Sequence, residues 1–171
     1  MSITKATLED VPALVELINS AYRGEFSKKG WTSEADLLVG GKRVDEIHMT
    51  NMILKKGSMV LKHVTATNQI TGCVYLEAHG DHMYLGTLTV SPVEQAKGIG
   101  KQLLKASEEE AVLQGKEYII MTVITVRPEL IGWYNRHGYV DTGIRKPFPH
   151  EPWQGRPSQP LEFMVLKKMV R

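Results

Sequence analysis

A strand-like run that passes through a glycine-bearing turn into an amphipathic helix constrains this chain more than any other feature. The run at 84–90 is rich in β-branched and aromatic residues and stops at Ser91-Pro92. Gly98 and Gly100 in the turn lack the Cβ atoms that would keep an anion from the backbone. Amides at the start of a helix are unpaired donors beside its positive end. The sequence therefore predicts a turn that binds a pyrophosphate.

The residues after the turn complete a strand-turn-helix-strand unit. One face of the predicted helix carries Ile99, Leu103, Ser107 and Ala111. Gly115 ends that helix, and residues 118–126 form the nearly continuous apolar run of a buried parallel strand. An ordinary glycine-bearing turn between a strand and a helix, without a ligand, stays open as the alternative.

The spacing of the turn residues excludes two common nucleotide-binding motifs. A Walker loop would need glycine where Gln95 stands and a hydroxyl residue where Gln102 stands. A dinucleotide fingerprint would need a third glycine at the position of Leu103. What remains is the pattern Gln95-x-x-Gly98-x-Gly100.

This pattern resembles the Gln/Arg-x-x-Gly-x-Gly/Ala motif by which GNAT-superfamily N-acetyltransferases hold the pyrophosphate of acetyl-CoA. A second segment, 127–139, is similar to the family pattern Asn-x-x-Ala-x-x-x-Tyr-x-x-x-Gly-Phe, with Tyr134, Gly138 and Tyr139 in register. Arg127 and Leu130 depart from it, so contacts that the family assigns to the asparagine cannot be transferred. The resemblance covers residues 58–145.

The resemblance and the sequence pattern together predict an α/β (α+β) fold. We expect a mixed, mostly antiparallel sheet of six to seven strands flanked by about four helices, with a central βαβ unit for acetyl-CoA, and residues 1–171 as a single GNAT-like domain. Strands are predicted at 3–6, 58–65, 70–78, 82–90, 118–126, 139–145 and 161–168. Helices are predicted from Thr7 to about 22, at 44–55, from 99 to Gly115 and at 129–137, with a short one opened by Ser33-Glu34.

Composition excludes several other classes of function. A net charge of +2 with scattered basic residues gives no footprint for nucleic acid. No run approaches the apolar length of a membrane span, and the first residues lack a secretory signal, so a cytoplasmic protein with no membrane partner is expected. Cys73 is predicted to be a core residue, and His79 and His82 to flank a tight turn at Gly80-Asp81 rather than a metal.

The resemblance implies a cofactor, acetyl-CoA, with coenzyme A as product, and a set of residues that hold it. Backbone groups of the strand end would bind pantetheine and the thioester oxygen, and amides of the turn would bind the pyrophosphate, with added contacts from the lysines. These cofactor-binding candidates are Leu88, Thr89, Val90, Gln95, Ala96, Lys97, Gly98, Ile99, Gly100 and Lys101.

Tyr134 is the catalytic candidate. A phenol with a pKa near about 10 stays protonated at neutral pH and can donate a proton to a thiolate whose conjugate acid has a pKa near about 8.5. In the family, transfer proceeds by direct attack of an amine through a tetrahedral intermediate. The alternative for Tyr134 is a residue that only packs on the core.

The acceptor is expected to be a small molecule with a primary amine. Aromatic and acidic residues in two irregular loops suit a small cationic amine, and the substrate-binding candidates are Glu25, Trp31, Asp36 and His150. No general base is identified, since the strand at 82–90 holds no glutamate. An acyl-CoA-binding regulatory module, a protein or peptide N-acetyltransferase and a structural protein stay open as alternatives, as does pairing into a homodimer.

Overall fold

The computed structural model describes residues 2–149 and 151–171. Its strands are β1 (Ser2–Lys5), β2 (Leu38–Val39), β3 (Ser58–Val64), β4 (Ile70–His79), β5 (His82–Val90), β6 (Tyr118–Ile124), β7 (Val140–Pro147), β8 (Arg156–Pro157) and β9 (Glu162–Met169). Its helices are α1 (Val11–Tyr22), α2 (Gly24–Ser27), α3 (Glu46–Leu54), α4 (Ile99–Leu113) and α5 (Pro128–Arg136). Short 3-10 turns lie at Leu8–Asp10 and Pro152–Gln154.

Seven strands form one sheet in the order β1-β3-β4-β5-β6-β9-β7, and β2 pairs separately with β8. Every neighbouring pair of the large sheet is antiparallel except β5 and β6, which are parallel. A helical crossover, α4, joins that parallel pair, as a parallel connection requires. The mixed, mostly antiparallel sheet and its central βαβ unit are thus confirmed.

Alternating side chains of the sheet pack into two cores, one on each face. Val60, Cys73 and Tyr75 point to the core beneath α1 and α3, whereas their neighbours Leu61 and Val74 point to the core beneath α4. The predicted apolar face of α4 is confirmed, because the four residues spaced along it, Ile99, Leu103, Ser107 and Ala111, are all buried.

Cys73 lies inside the first of these cores, as predicted. It is 1% exposed, and burial raises the pKa of its thiol to about 12. A thiolate is the reactive form of cysteine, so this side chain is chemically inert at neutral pH.

Two local predictions differ from the structure. Residues 35–37 form a turn instead of a helix: the amides of Leu37 and Leu38 both bond to the carbonyl of Glu34, and the chain then enters β2. The short helix lies earlier, at α2, where it follows Arg23 in extended conformation. The small β2/β8 sheet was not predicted, since two-residue strands carry no detectable alternation.

None of the helices within residues 2–149 and 151–171 has the length and apolarity needed to cross a bilayer.

Candidate active site

The two parallel strands at the centre of the sheet separate soon after they begin. β5 and β6 pair only from His82 to Tyr84, opposite 118–120. Thr87 adopts a left-handed φ of 51°, and the pairing of β5 with β4 shifts register at the same level. A β-bulge of this kind bends a strand and redirects its backbone, and positive φ is strained for a β-branched residue. The separation opens a gap between the strands that is lined by side chains from both.

A cleft of about 750 Å³, here called the large cleft, runs from this gap to the N-terminal end of α4. Its walls are the end of β5, the turn at 95–101, one side of α5 and the loop at 29–32. Within the described residues, its charged side chains are all basic: Lys29, Lys101, Arg127 and Arg136. A cleft of this size and sign suits an extended polyanion.

The turn before α4 presents a row of unpaired amides to the large cleft. Ala96 and Gly98 adopt left-handed φ values of 67° and 82°. Among residues 2–149 and 151–171, the amides of residues 96–101 find no hydrogen-bond acceptor, and the first amide of α4 to find one is that of Gln102, bonded to the Gly98 carbonyl. Such alternating backbone forms an anion-binding nest, which the dipole of α4 reinforces.

Gly100 lies against the aromatic wall of the cleft. A Cβ at that position would lie 3.4 Å from the ring of Trp133, at the short end of ordinary van der Waals contact. Trp133 in turn lines the large cleft. An aromatic side chain of α5 therefore packs beside the nest.

The backbone of β5 faces the gap at Leu88 and Val90. The Ser91 amide donates to the Thr71 carbonyl on β4. Backbone groups of successive residues in a strand point in opposite directions, so those of Leu88 and Val90 point away from β4. Both of their carbonyls are occupied: Tyr22 Oη donates to Leu88 O at 2.7 Å, and Gln95 Nε2 donates to Val90 O at 3.2 Å. Their amides are left as the donors that face the cleft.

Gln95 acts through its side chain as a link between two walls of the cleft. Besides its bond to β5, its Oε1 accepts from the Trp31 amide at 2.8 Å. A Cβ at Gly30 would collide with this side chain, 2.8 Å from Gln95 Cδ. The loop at 30–31 is therefore held against the nest by one amide group.

If the donor is acetyl-CoA, as the resemblance implies, replacing Gln95 with alanine is expected to raise its KM about threefold to tenfold, because the lost bonds, each worth about 0.5–1.5 kcal/mol, release the loop. The melting temperature should change little, since this side chain is only half-buried. Steady-state kinetics at varied acetyl-CoA measures the effect. An unchanged KM would mean that the loop does not contact the donor.

Tyr134 lies where the large cleft meets a smaller cavity. It is 6% exposed and lines both spaces. Its hydroxyl makes no hydrogen bond with the residues that the structure describes, and burial raises its pKa well above the usual range. The phenol is therefore protonated at neutral pH and free to donate into the junction.

The smaller space, here called the inner cavity, has a volume of about 230 Å³ and lies between β5 and β6. Arg23, Arg43 and Arg127 line it together with Glu34, its one carboxylate among the described residues. Arg23 Nη1 donates to Glu34 Oε1 at 2.6 Å, and Arg127 Nη1 lies 3.7 Å from Glu34 Oε2. Tyr22 lines both spaces as Tyr134 does.

The predicted cofactor residues other than Lys97 all line the large cleft, whereas the predicted acceptor residues do not come together. Glu25 and Asp36 both pair with Lys28 on the surface, with side chains 89% and 85% exposed, and line neither space. Trp31 lines the large cleft and is absent from the inner cavity. Predicted acceptor residue His150 lies outside the described residues. The physical reason is local charge, because Lys28 neutralises both carboxylates where they stand.

The two lysines of the turn behave differently. Lys97 pairs with Glu94 at 2.6 Å and its side chain is 62% exposed, so Glu94 partly neutralises its charge within the turn. Lys101 lines the large cleft. Thr89 is 2% exposed, its hydroxyl donates to the Thr87 carbonyl at the bulge, and it lines the large cleft together with Leu88 and Val90.

Sequence reasoning missed several side chains that line these spaces. They are Tyr22, Arg23, Lys29, Glu34, Trp133 and Arg136. Trp133 and Arg136 stand three apart on α5, so the helical period around Tyr134 indicated their shared face. Tyr22, Arg23 and Glu34 belong to one of the two loops expected near the acceptor, but no local signal singled them out, because their contacts form only when α1 and the following loop pack over the end of β5.

Comparison with known proteins identifies the fold. A family model described as an acetyltransferase (GNAT) domain matches residues 33–150. The chain belongs to the GNAT acetyltransferase family. Members of this GNAT family use acetyl-CoA or another acyl-CoA as donor and an amine as acceptor. The unpaired amides and basic side chains of the large cleft fit such a donor.

Solved structures share the GNAT fold across nearly the whole chain. The ribosomal-protein-S18-alanine N-acetyltransferase from Escherichia coli is 13% identical, with a TM-score of 0.72 over 99% of this chain and 93% of that one. The ribosomal-protein-alanine N-acetyltransferase from Brucella melitensis is 18% identical, with a TM-score of 0.72 over 99% of both chains. A Streptococcus mutans protein is 15% identical, with a TM-score of 0.74 over 100% of both. A search of curated protein sequences finds no significant match.

Proposed function

We propose that this chain transfers an acetyl group from acetyl-CoA to the primary amine of a small molecule, and that residues 1–171 form one GNAT domain for this reaction. The row of unpaired amides at 96–101, opening into an all-basic cleft that ends at Tyr134, carries the proposal. The nest and the helix dipole would hold the pyrophosphate, while Lys29, Lys101 and Arg136 would add charge.

Acetyl-CoA, when bound, supplies a thioester that the amine attacks, so that a C–N bond forms, the C–S bond breaks, and the products are an N-acetylated amine and coenzyme A. The Leu88 and Val90 amides would donate hydrogen bonds to oxygens of the pantetheine arm and of the thioester along the gap. Tyr134 Oη donates a proton at the junction to the departing sulfur and regains one from solvent. The bond from Tyr22 to the Leu88 carbonyl fixes the end of β5 in place.

Among residues 2–149 and 151–171, no carboxylate next to Tyr134 is free to act as a base. Glu77, on the neighbouring strand β4, bonds Lys55 at 2.7 Å and Tyr75 at 2.6 Å and lines neither space. Glu34 is held between two guanidiniums. We therefore propose that the amine enters as its neutral form and loses its proton to solvent.

The pH dependence follows from this arrangement. We expect kcat/KM for the acceptor to rise with pH and to level off near the pKa of the amine itself. Because burial raises the pKa of Tyr134, its proton is retained past the normal phenol value of about 10, and no alkaline loss should appear below that pH. For two acceptors with different amine pKa values, the midpoints of the rise of kcat/KM with pH should differ by the difference between those pKa values. A midpoint shared by both acceptors would contradict the proposal and point to a base on the protein.

The proposed function is tested by two measurements on the same protein. Acetyl-CoA should raise the melting temperature, since a ligand that binds only the folded state stabilises it. Thiol release in the presence of an amine panel should then exceed release without amine. Binding without amine-dependent release would instead favour a regulatory acyl-CoA-binding module, and absence of both would leave a structural role.

A further inference from the structure

The inner cavity contains more positive charge than its surroundings balance. Arg23 is 8% exposed and Arg127 is 5% exposed, yet both guanidiniums share one buried carboxylate, that of Glu34, also 5% exposed. A second carboxylate, that of the partly exposed Glu129, lies 3.7 Å from Arg127 Nε, so the charges of Arg23 and Arg127 are matched by two carboxylates. Arg43, whose guanidinium lies 5.2 Å from the ring of Tyr22, leaves the three arginines with one positive charge in excess. Removing charge from water is costly unless an opposite charge meets it.

Two donors of this cluster also lack partners. Among the residues that the structure describes, Arg23 Nε and Arg127 Nε are buried without a hydrogen-bond acceptor. The nearest carboxylate oxygen recorded for Arg127 Nε belongs to Glu129 and lies 3.7 Å away, beyond hydrogen-bond distance. Burial also lowers the pKa of Arg23, which is the response of a cation that its neighbours stabilise incompletely. A buried donor without an acceptor costs free energy that a ligand can recover.

From these observations we propose that the acceptor carries an anionic group, a carboxylate or a phosphoryl-type group, that binds against the Arg23 and Arg127 guanidiniums in the inner cavity while its amine reaches Tyr134. The inference rests on the proposed function and specifies its substrate class. A planar guanidinium matches the paired oxygens of either anion. In such an acceptor the amine and the anionic group are only a few bonds apart, because Arg127 lines both the inner cavity and the junction with the large cleft.

The same charges disfavour the cationic acceptor that the loop residues suggested. A polyamine entering the inner cavity would meet three guanidiniums and one carboxylate that is already paired. The cavity volume of about 230 Å³ lies below the range for drug-sized ligands, which indicates a small acceptor.

The competing explanation is that the cluster only joins elements of the fold. Arg127 Nη2 donates to Thr32 Oγ1 at 2.6 Å, and Thr32 Oγ1 donates to Glu129 Oε1 at 2.9 Å, so the network does tie the loop to α5. If the cluster were purely structural, substituting its arginines would change the activity toward all acceptors by the same factor. A binding role requires that discrimination between acceptors with and without the anion depend on the arginines.

The first experiment compares acceptors that differ only in the anion. Alanine is paired with alaninamide and 2-aminoethyl phosphate with ethanolamine, and spermidine serves as the cationic reference. We expect kcat/KM to be at least about tenfold higher for the anionic member of at least one pair, the loss of a charge-assisted bond being worth that much. A neighbouring anion raises the pKa of an amine, so the neutral fraction works against this preference. Equal use of both members, or spermidine as the best acceptor, would overturn the proposal.

The second experiment replaces Arg23 with lysine, which keeps the positive charge but removes the planar guanidinium. Arg145→Lys is the matched control. Arg145 lies on β7, lines neither space and pairs with Asp141 at 2.9 Å. Arg23→Lys should reduce the preference for the anionic acceptor about tenfold with the KM for acetyl-CoA unchanged, whereas Arg145→Lys should leave it as it was. Glu34→Gln should retain or strengthen the preference. An equal loss on all acceptors would identify a structural cluster.

A third measurement does not depend on finding the acceptor. With coenzyme A present at saturation to fill the nest, inorganic phosphate and malonate should each raise the melting temperature of the wild type and of Arg145→Lys, but less so that of Arg23→Lys. No rise in the wild type, or the same rise in Arg23→Lys, would refute the anion site. Failure of coenzyme A itself to raise the melting temperature would refute the proposed function instead, so the two failures are distinguishable.

Discussion

Replacing Tyr134 with phenylalanine is expected to lower kcat at least about tenfold, because a positioned proton donor contributes about 10²-fold to 10⁴-fold. The hydroxyl bonds no described residue, so its removal leaves no partner unsatisfied and the fold should keep its stability. The KM for acetyl-CoA should stay the same, since the nest that would bind the pyrophosphate is untouched. Single-turnover measurements of thiol release separate the chemical step from product release.

Tyr139→Phe is the matched control for that variant. Tyr139 is another buried tyrosine of the same segment, but its hydroxyl donates to Glu108 at 3.1 Å and it lines neither the large cleft nor the inner cavity. We expect it to lose some stability and to keep its kcat. If Tyr134→Phe turned over as fast as the wild type, Tyr134 would be a packing residue and the proton would come from elsewhere.

Replacing Gly98 with valine is expected to raise the KM for acetyl-CoA at least about tenfold, because each bond to a charged group is worth about 1.5–3 kcal/mol and the nest would lose at least one. Gly98 has a φ of 82°, where a β-branched side chain is strained, so the backbone must rotate and turn its amides away from the cleft. At saturating acetyl-CoA, kcat should approach the wild-type value, since Tyr134 is not displaced.

The control for this variant lies at the other end of the same helix. Gly115 follows α4 with a φ of 75°, is exposed, and has no atom within 4 Å of an added Cβ. Gly115→Val therefore suffers the same backbone strain, about 1–2 kcal/mol, without touching the nest. If both variants raised the KM equally, the effect of Gly98→Val would be one of stability and the nest would not bind the donor.

The parts of the molecule that could be predicted from sequence are those specified by local pattern. The periodicity of Ile99, Leu103, Ser107 and Ala111 located α4 and its buried face, because a helix repeats its contacts every three to four residues. The β-branched run before Ser91-Pro92 located β5. The glycines located the turn between them, since a left-handed backbone at Gly98 favours that residue.

The inner cavity could not be predicted, because its residues meet through tertiary packing alone. Arg23 lies at the end of α1, Glu34 in a turn and Arg127 before α5, and nothing in the local sequence of each points to the others. Loop carboxylates suggested a cationic acceptor, yet Glu25 and Asp36 are neutralised on the surface by Lys28. The charge of a cavity is set by which side chains the fold turns inward, and composition does not report that.

Binding of the pyrophosphate by the nest is tested most directly by recording the backbone amide resonances of Gly98 and Gly100 by ¹⁵N NMR while coenzyme A is titrated in. We predict that both amide resonances shift strongly because the amides donate to the pyrophosphate, while the resonance of Gly115 serves as an internal reference and does not shift. Pantetheine, which lacks the pyrophosphate, should leave the Gly98 and Gly100 resonances nearly unchanged. Coenzyme A binding that shifts other residues and leaves these two glycines unchanged would contradict this prediction.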